Sequence, residues 1–183
     1  TSLPITKTVS VSAVNDAPVL ATPAAVALED TIVLDAFQTQ TGKVVGTDVD
    51  SANLVYGITG GSGDQITVSK TGSYGTLKVT IATGDYWLVP NAGAINALKA
   101  DASQTFEVTV TDGQTTAKAN LVVNLKGVND APVMTPITKI GTEDTPLLFA
   151  QSDFTSAYSD VEGDPQSKIR IASLPATGVL KLN

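Results

Sequence analysis

The sequence predicts an all-β protein, folded as an antiparallel Greek-key β-sandwich with one short helix. Three observations support this class. Short segments alternate apolar and polar residues, turn residues separate these segments at close intervals, and the chain begins to repeat itself after 114 residues.

Alternation of apolar and polar side chains predicts the strands. Residues 105–111 read Thr-Phe-Glu-Val-Thr-Val-Thr, so one face of the segment is apolar and the other polar. Such a pattern is typical of a half-buried strand, because successive side chains point to opposite faces. Similar Val- and Thr-rich segments and shorter apolar runs are found at residues 31–34, 54–58, 65–69, 75–81 and 118–126.

One segment lacks this two-residue alternation, and its pattern predicts the helix. Residues 91–99 follow Pro90 and begin with Asn91, a favoured N-cap residue. Ile95 and Leu98 lie three residues apart and would share one helix face.

A tandem repeat sets the domain organisation. The segment 14–19, Val-Asn-Asp-Ala-Pro-Val, recurs identically at 128–133, and Glu-Asp-Thr at 29–31 recurs at 143–145; both offsets are 114 residues (128 − 14 and 143 − 29). We expect residues 1–14 to be the last strand of a preceding repeat, 15–127 a complete repeat, and 128–183 the N-terminal half of the next. The chain is then a piece of a longer array.

Composition excludes several classes of function. The chain has no cysteine and no histidine, which removes disulfides, thiol nucleophiles and the usual ligands of zinc or iron. With 18 acidic against 11 basic residues, a nucleic-acid surface is not expected. No apolar run is long enough for membrane insertion. The metal ligands that the chain still offers are hard oxygen atoms, and these suit calcium.

Acidic residues cluster in two loops. Asp48, Asp50 and Asn53 follow a short apolar pair, and alternation along a strand would place the first two carboxylates on one face. Two adjacent carboxylates repel unless a cation lies between them. Asp and Asn also favour ordinary turns, but Asp160, Glu162 and Asp164 repeat the pattern in the next unit, which favours a metal site.

The motifs together resemble the cadherin repeat. Residues 47–56 are similar to its A-T-D-x-D-x-x-N-x-x-x-Y stretch, 110–113 to its A-x-D-x-G strand end, and 128–133 to its D-x-N-D-N-x-P linker. The closer resemblance is to the bacterial cadherin-like repeats of large, RTX-like surface adhesins that pass through type I secretion. This resemblance covers the whole chain and implies a cadherin-like or immunoglobulin-like sandwich.

The resemblance also implies that calcium binds at the junctions between repeats and stiffens the linker. At the first junction the matching residues are Asn15, Asp16, Asp48, Asp50, Asn53 and Asp112. At the second junction they are Glu29, Asn129, Asp130 and Asp160, completed by Glu162 or Asp164. The Asp-Arg-Glu ligand motif of animal cadherins is absent, so fewer ions per junction, or a weaker site, are expected.

The function implied is that of a calcium-rigidified extender repeat of a secreted bacterial surface adhesin, serving cell adhesion or biofilm formation. Its partners would be neighbouring repeats of the same chain. The alternative is a module that binds glycans or another surface, with residues 86–87, Tyr-Trp, as a stacking platform. We expect at most one of these rings to be exposed and Trp87 to fill the core. An enzyme is not expected, because no general base has an evident partner.

Overall fold

The computed structural model describes residues 6–174, 176–177 and 179–181 of the chain. Residues 1–5, at the start of the predicted N-terminal strand segment, lie outside the described residues. Four positions near the end of the predicted half-repeat, 175, 178, 182 and 183, also lie outside them.

Short strands dominate the described part of the chain. In chain order they are β1 (Val19–Leu20), β2 (Val26–Glu29), β3 (Gln40–Lys43), β4 (Gly46–Thr47), β5 (Val55–Ile58), β6 (Ser62–Gly63), β7 (Thr67–Thr71), β8 (Gly75–Thr80), β9 (Asp85–Pro90), β10 (Ala102–Thr111), β11 (Thr116–Lys126), β12 (Val133–Met134) and β13 (Tyr158–Ser159). The two helices are α1 (Ala92–Asn96) and α2 (Gln151–Thr155).

Two sheets form the sandwich that the sequence predicts. One has the strand order β2-β11-β10-β5 and the other the order β3-β9-β8-β7-β6. The chain crosses between the sheets after β2, β3, β5 and β9, so strands distant in sequence lie side by side. The all-β class is therefore confirmed. One feature was not expected: β2 and β11 pair in parallel, whereas the other pairs among the described strands are antiparallel.

Alternating side chains fill the space between the sheets. In β10, Phe106, Val108 and Val110 point inward and are almost completely buried. Strands β8, β9 and β11 contribute further buried side chains in the same alternation: Leu77, Val79, Leu88, Leu121, Val123 and Leu125. Apolar burial of this kind supplies the main favourable free energy of folding.

Helix α1 closes one end of this core. The Asn91 side chain accepts a hydrogen bond from the Ala94 N–H at 3.3 Å, which confirms the predicted cap. Ile95 points into the sandwich and is fully buried. The helix ends at Asn96, earlier than the sequence pattern suggests. Neither of the described helices is long and apolar enough to cross a membrane.

Two of the predicted strands do not form. Residues 31–34 bend after β2 instead of continuing it, because the Thr31 N–H donates to the Asp35 carboxylate at 2.6 Å and closes a short loop. Residues 6–18 lie outside any strand and are mostly exposed, because no described strand pairs with them.

The expectation for Trp87 is wrong. Tyr86 is 6% exposed and lies in the core, whereas Trp87 is half-buried on the outer face of the five-stranded sheet. The reason is the register of β9, in which Tyr86 and Leu88 share the inward face. Gly42 lies opposite Tyr86, and a Cβ atom there would come within 2.5 Å of the tyrosine ring.

The second half-repeat reproduces one ladder of the first. In the complete repeat β1 pairs with β4, joining Val19 to Thr47. In the next repeat β12 pairs with β13, joining Val133 to Ser159, the residue just before Asp160 as Thr47 is just before Asp48. Beyond this ladder, residues 128–181 have mostly exposed apolar side chains where they are described, including Ile140, Leu148 and Ile171.

Replacement of Phe106 by alanine is expected to lower the free energy of unfolding by about 3–5 kcal/mol, because it leaves a cavity between the two sheets. Val55, which is exposed on the edge strand β5, offers a control, and its replacement by alanine should change stability by less than about 1 kcal/mol. Urea unfolding followed by circular dichroism measures both. Equal effects of the two substitutions would contradict this description of the core.

Candidate metal centre

Backbone and side-chain hydrogen bonds hold the first linker against the acidic loop after β4. The Asp16 N–H donates to the Asp50 carboxylate at 3.0 Å, and the Asn15 side chain donates to the Asp16 carbonyl at 2.8 Å. Asn15 also donates to the Asp112 carboxylate at 2.8 Å. The linker thus contacts the loop and the β10–β11 turn at once.

The second linker makes two of these three hydrogen bonds one repeat later. The Asp130 N–H donates to the Glu162 carboxylate at 2.7 Å, and the Asn129 side chain donates to the Asp130 carbonyl at 3.0 Å. Asp130 corresponds to Asp16, and Glu162 to Asp50. The two linkers therefore share these two hydrogen bonds, although Asp16 is exposed and Asp130 is buried.

Carboxylates at the first junction are held mainly by backbone donors. The Asp48 carboxylate accepts from the N–H groups of Asp50 at 3.0 Å and Ser51 at 2.8 Å. The pKa of Asp48 lies below its ordinary value, first through a hydrogen bond shared with the Asp50 carboxyl and then through these N–H groups. The pKa of Asp112 is lowered further, chiefly by the backbone N–H of Thr115 and the Asn15 side chain.

Two carboxylates are almost completely buried at the second junction. Asp30 is 2% exposed and Asp130 is 3% exposed. Neither oxygen of the Asp130 carboxylate has a hydrogen-bond partner among the described residues, and one oxygen each of Asp30 and Glu162 is likewise buried without a partner. Buried polar atoms are nearly always paired in folded proteins, so four unpaired carboxylate oxygens at one junction are exceptional.

The end of β2 positions Asp30. Val26, Leu28 and Asp30 alternate toward the interior, and the Asp30 N–H donates to the Lys126 carbonyl at 3.0 Å, one step beyond the β2–β11 ladder. The Val128 N–H approaches the Asp30 carboxylate at 3.4 Å. The parallel strand pair therefore delivers this acid directly to the start of the linker.

Asp35 adds a further negative charge beside Asp30. Its N–H donates to the Asn96 side chain at 2.9 Å, and the same side chain donates back to the Asp35 carbonyl at 3.1 Å. Asn96 is buried at the end of α1, so the helix fixes the loop that carries Asp35.

Burial and mutual repulsion raise the pKa values of the two buried acids. For Asp130 burial is the largest cause, followed by the charges of Asp30, Glu162, Asp35 and Asp160. For Asp30 burial again comes first, and Asp35 raises the pKa further. A cation placed here would offset both the burial of these charges and their mutual repulsion, because it would neutralise the carboxylates and pair their free oxygens.

Not all of the predicted ligands come together. Glu29 faces solvent from the opposite side of β2, and Asn53 and Asn129 are exposed. Asp160 accepts a hydrogen bond from the Asp164 N–H at 2.9 Å, and the Asp164 carboxylate pairs with Lys99. Within the ranges described, no three Asp or Glu side chains are arranged so that they could hold an ion as they stand.

Sequence reasoning missed Asp30, Asp35 and Lys99. A signal for Asp30 was present, because the alternation Val26-x-Leu28-x-Asp30 places it, and not Glu29, on the inner face. No comparable signal marks Asp35 or Lys99, since tertiary contacts with α1 and with the next repeat bring them to the junction.

Comparisons with known proteins do not assign the chain to a family, because no protein-family model and no curated protein matches it.

Without calcium, Asp130→Asn is expected to raise the free energy of unfolding at pH 7 by about 1–3 kcal/mol, because asparagine removes an unpaired buried charge. The raised pKa means that the native state binds this proton more readily than the unfolded chain does. The destabilisation that the Asp130 charge causes in the wild type is therefore absent below the ordinary pKa of 3.8. It develops as the pH rises through the raised pKa of the native state. Urea unfolding of both proteins at pH 7 and pH 4 measures the difference.

Asp64→Asn is a control for which the expected change in the free energy of unfolding has the opposite sign. The Ile66 and Thr67 N–H groups donate to its carboxylate and lower its pKa, so Asp64→Asn should destabilise the protein at pH 7 and do so less at low pH. An Asp130→Asn effect that is the same at both pH values would contradict the assignment of a buried charge.

Proposed function

We propose that this chain is a calcium-rigidified extender segment of a large, secreted bacterial surface adhesin, in which the junction between two repeats is the calcium site. The observation that carries the proposal is the Asp130 carboxylate, which is buried with both oxygens unpaired between acids of the two repeats.

Calcium fits the donor set at the second junction. The free atoms are carboxylate oxygens, the chain has no cysteine or histidine, and calcium accepts six to eight oxygen ligands in flexible geometry. Asp30, Asp130, Asp160 and Glu162 would hold it. Rotations about side-chain bonds are needed to bring these oxygens together. Asp30 takes the place proposed for Glu29, whose side chain faces solvent.

The ligands come from both sides of the linker, which is why binding would stiffen it. Asp30 extends from β2 of the complete repeat, Asp130 lies in the linker, and Asp160 and Glu162 lie in the first acidic loop of the next repeat. An ion bound to all of them crosslinks two folded units and removes the repulsion that favours their separation.

The first junction supports the same function in an array. Asp48 has one buried, unpaired oxygen and accepts a hydrogen bond from the Asp50 N–H, while the linker contacts Asp50 through the Asp16 N–H and Asp112 through the Asn15 side chain. Recurrence of the same two linker hydrogen bonds at successive junctions is a property expected of an extender built by repetition. Secretion to the cell surface and a role in adhesion or biofilm formation follow from the resemblance of the linker and loop motifs to bacterial adhesin repeats.

The melting temperature of the chain is expected to be higher with calcium than in the presence of a chelator. Stabilisation by a ligand grows as RT ln(1 + [L]/Kd) and reaches about 2.7 kcal/mol at one hundred times Kd. Asp130→Asn should lose most of the shift that originates at the second junction, whereas Asp64→Asn should retain the whole shift. Differential scanning calorimetry measures all three proteins, and identical melting curves with and without calcium would exclude the proposal.

Rigidity can be measured directly, because a chain without cysteine accepts spin labels at chosen sites. Ser103 on β10 and Ser152 on α2 are exposed and lie on opposite sides of the linker. With both replaced by labelled cysteine, the distance distribution from pulsed electron resonance should narrow on calcium addition. An unchanged distribution would mean that the ion binds without stiffening the junction.

A second candidate function, glycan binding, is favoured by one observation. Trp87 is half-buried on the outer face of the five-stranded sheet, opposite Thr41 and Lys78 on the adjacent strands. Aromatic rings beside hydrogen-bonding groups suit the stacking of sugars.

Trp87→Ala tests this candidate on a glycan array. Loss of a signal that Val89→Ala leaves intact would support glycan binding, because Val89 is an exposed neighbour on the same face of β9. Absence of a signal from the wild-type chain would exclude glycan binding, and the extender function would remain as the single candidate.

A further inference from the structure

Lys99 brings a positive charge to the second junction. It follows α1, and its position is fixed by its neighbours: Leu98 packs against the core, and its N–H donates to the Ile95 carbonyl at 3.0 Å. The Asp101 carboxylate accepts a hydrogen bond from the Gly127 N–H at 3.3 Å. The loop that carries Lys99 is therefore attached to the end of the complete repeat.

The Lys99 ammonium group pairs with the Asp164 carboxylate of the next repeat. The other ion pairs in the described part of the chain each lie within one repeat, namely Lys43–Asp85, Lys118–Glu107 and Lys139–Asp153. Lys99–Asp164 is thus the ion pair that joins the two units.

The surroundings of Lys99 differ from those of the buried acids. Asp160 and Glu162 are close enough that, after the hydrogen bond and charge of Asp164, their charges also raise the pKa of Lys99. The Asp164 side chain is 41% exposed and paired, whereas Asp130 and Glu162 have buried oxygens without partners. Of the three acids in the loop 160–164, Asp164 is the one paired with a lysine.

We infer that Lys99 is a built-in cation of the junction that holds Asp164 outside the calcium ligand set and leaves Asp30, Asp130, Asp160 and Glu162 to bind the ion. This inference rests on the proposed calcium site and specifies its composition. A fixed positive charge beside the site also weakens calcium binding, because like charges repel. Lys99 therefore sets the affinity of the junction without contacting the ion.

Calcium titration of the full chain by nuclear magnetic resonance tests this inference. The Gly163 amide reports on the second junction and the Gly113 amide on the first, because each lies in the corresponding acidic turn. A calcium-buffering chelator sets the free ion concentration. Lys99→Gln should tighten binding at Gly163 by about threefold to tenfold, the effect of removing one unit charge near a partly screened site, and leave Gly113 unchanged.

The double variant Lys99→Gln/Asp164→Asn decides the role of Asp164. It preserves the net charge and the capacity for a hydrogen bond, so calcium affinity at Gly163 should stay within about twofold of wild type. Loss of affinity comparable to that of Asp130→Asn would show that Asp164 is a ligand and would overturn the inference. Lys43→Gln removes another exposed, paired lysine and controls for net charge; an equal effect of Lys43→Gln and Lys99→Gln would also overturn it.

Failure of the proposed function has a different signature. A wild-type chain whose Gly163 amide does not respond to calcium excludes the site itself, and the inference falls with it. A wild-type response combined with a loss in the double variant leaves the calcium site in place and rejects only the role of Lys99.

Discussion

Burial of negative charge between two folded units is the constraint on which the arrangement of the junction depends. Asp30 and Asp130 are carried to the same place by a strand end and by the linker that follows the last strand. A carboxylate in this environment has three physical outcomes: it binds a proton, it separates from its neighbours, or it binds a cation. Binding a proton removes the charge without joining the units, separation releases the linker, and binding a cation restrains it.

Backbone geometry delivers these charges with little dependence on side-chain packing. The linker N–H donates to an acid of the following loop at both junctions, and the short ladder beside it has the same register in both repeats. A repeat that fixes its junction acids through main-chain hydrogen bonds can vary its other surface residues while keeping the junction. Lys99 is an exposed residue of this kind, and it adds a positive charge beside the acids through its pair with Asp164.

The sequence was sufficient where local pattern and tertiary structure agree. Strands β8, β10 and β11 follow the alternation of Val and Thr, and α1 begins after its asparagine cap. Tertiary contacts decided the rest. Residues 31–34 have strand-like composition, but the Asp35 carboxylate captures the Thr31 N–H and turns the chain. Tyr86 and Trp87 exchanged their expected places because one residue of register reverses every side chain on a strand.

At the candidate site, the repeated motifs pointed to the two acidic loops that the linkers contact, while the choice between Glu29 and Asp30 required knowing which face of β2 is buried. The contribution of α1 was outside the reach of motif reasoning, since Asn96 and Lys99 act on residues far away in sequence. Spacing along the chain indicates which loops carry charge, and only the fold indicates which charges meet.

The parallel pairing of β2 with β11 has a mechanical consequence. These strands lie near the two ends of the complete repeat and are joined over four residue pairs. Tension applied along the chain draws β2 backward and β11 forward, so the hydrogen bonds between them are loaded together in shear and do not open one by one. The same strand pair that delivers Asp30 to the junction is therefore the element through which a pulling force passes across the complete repeat, from its first linker to its second.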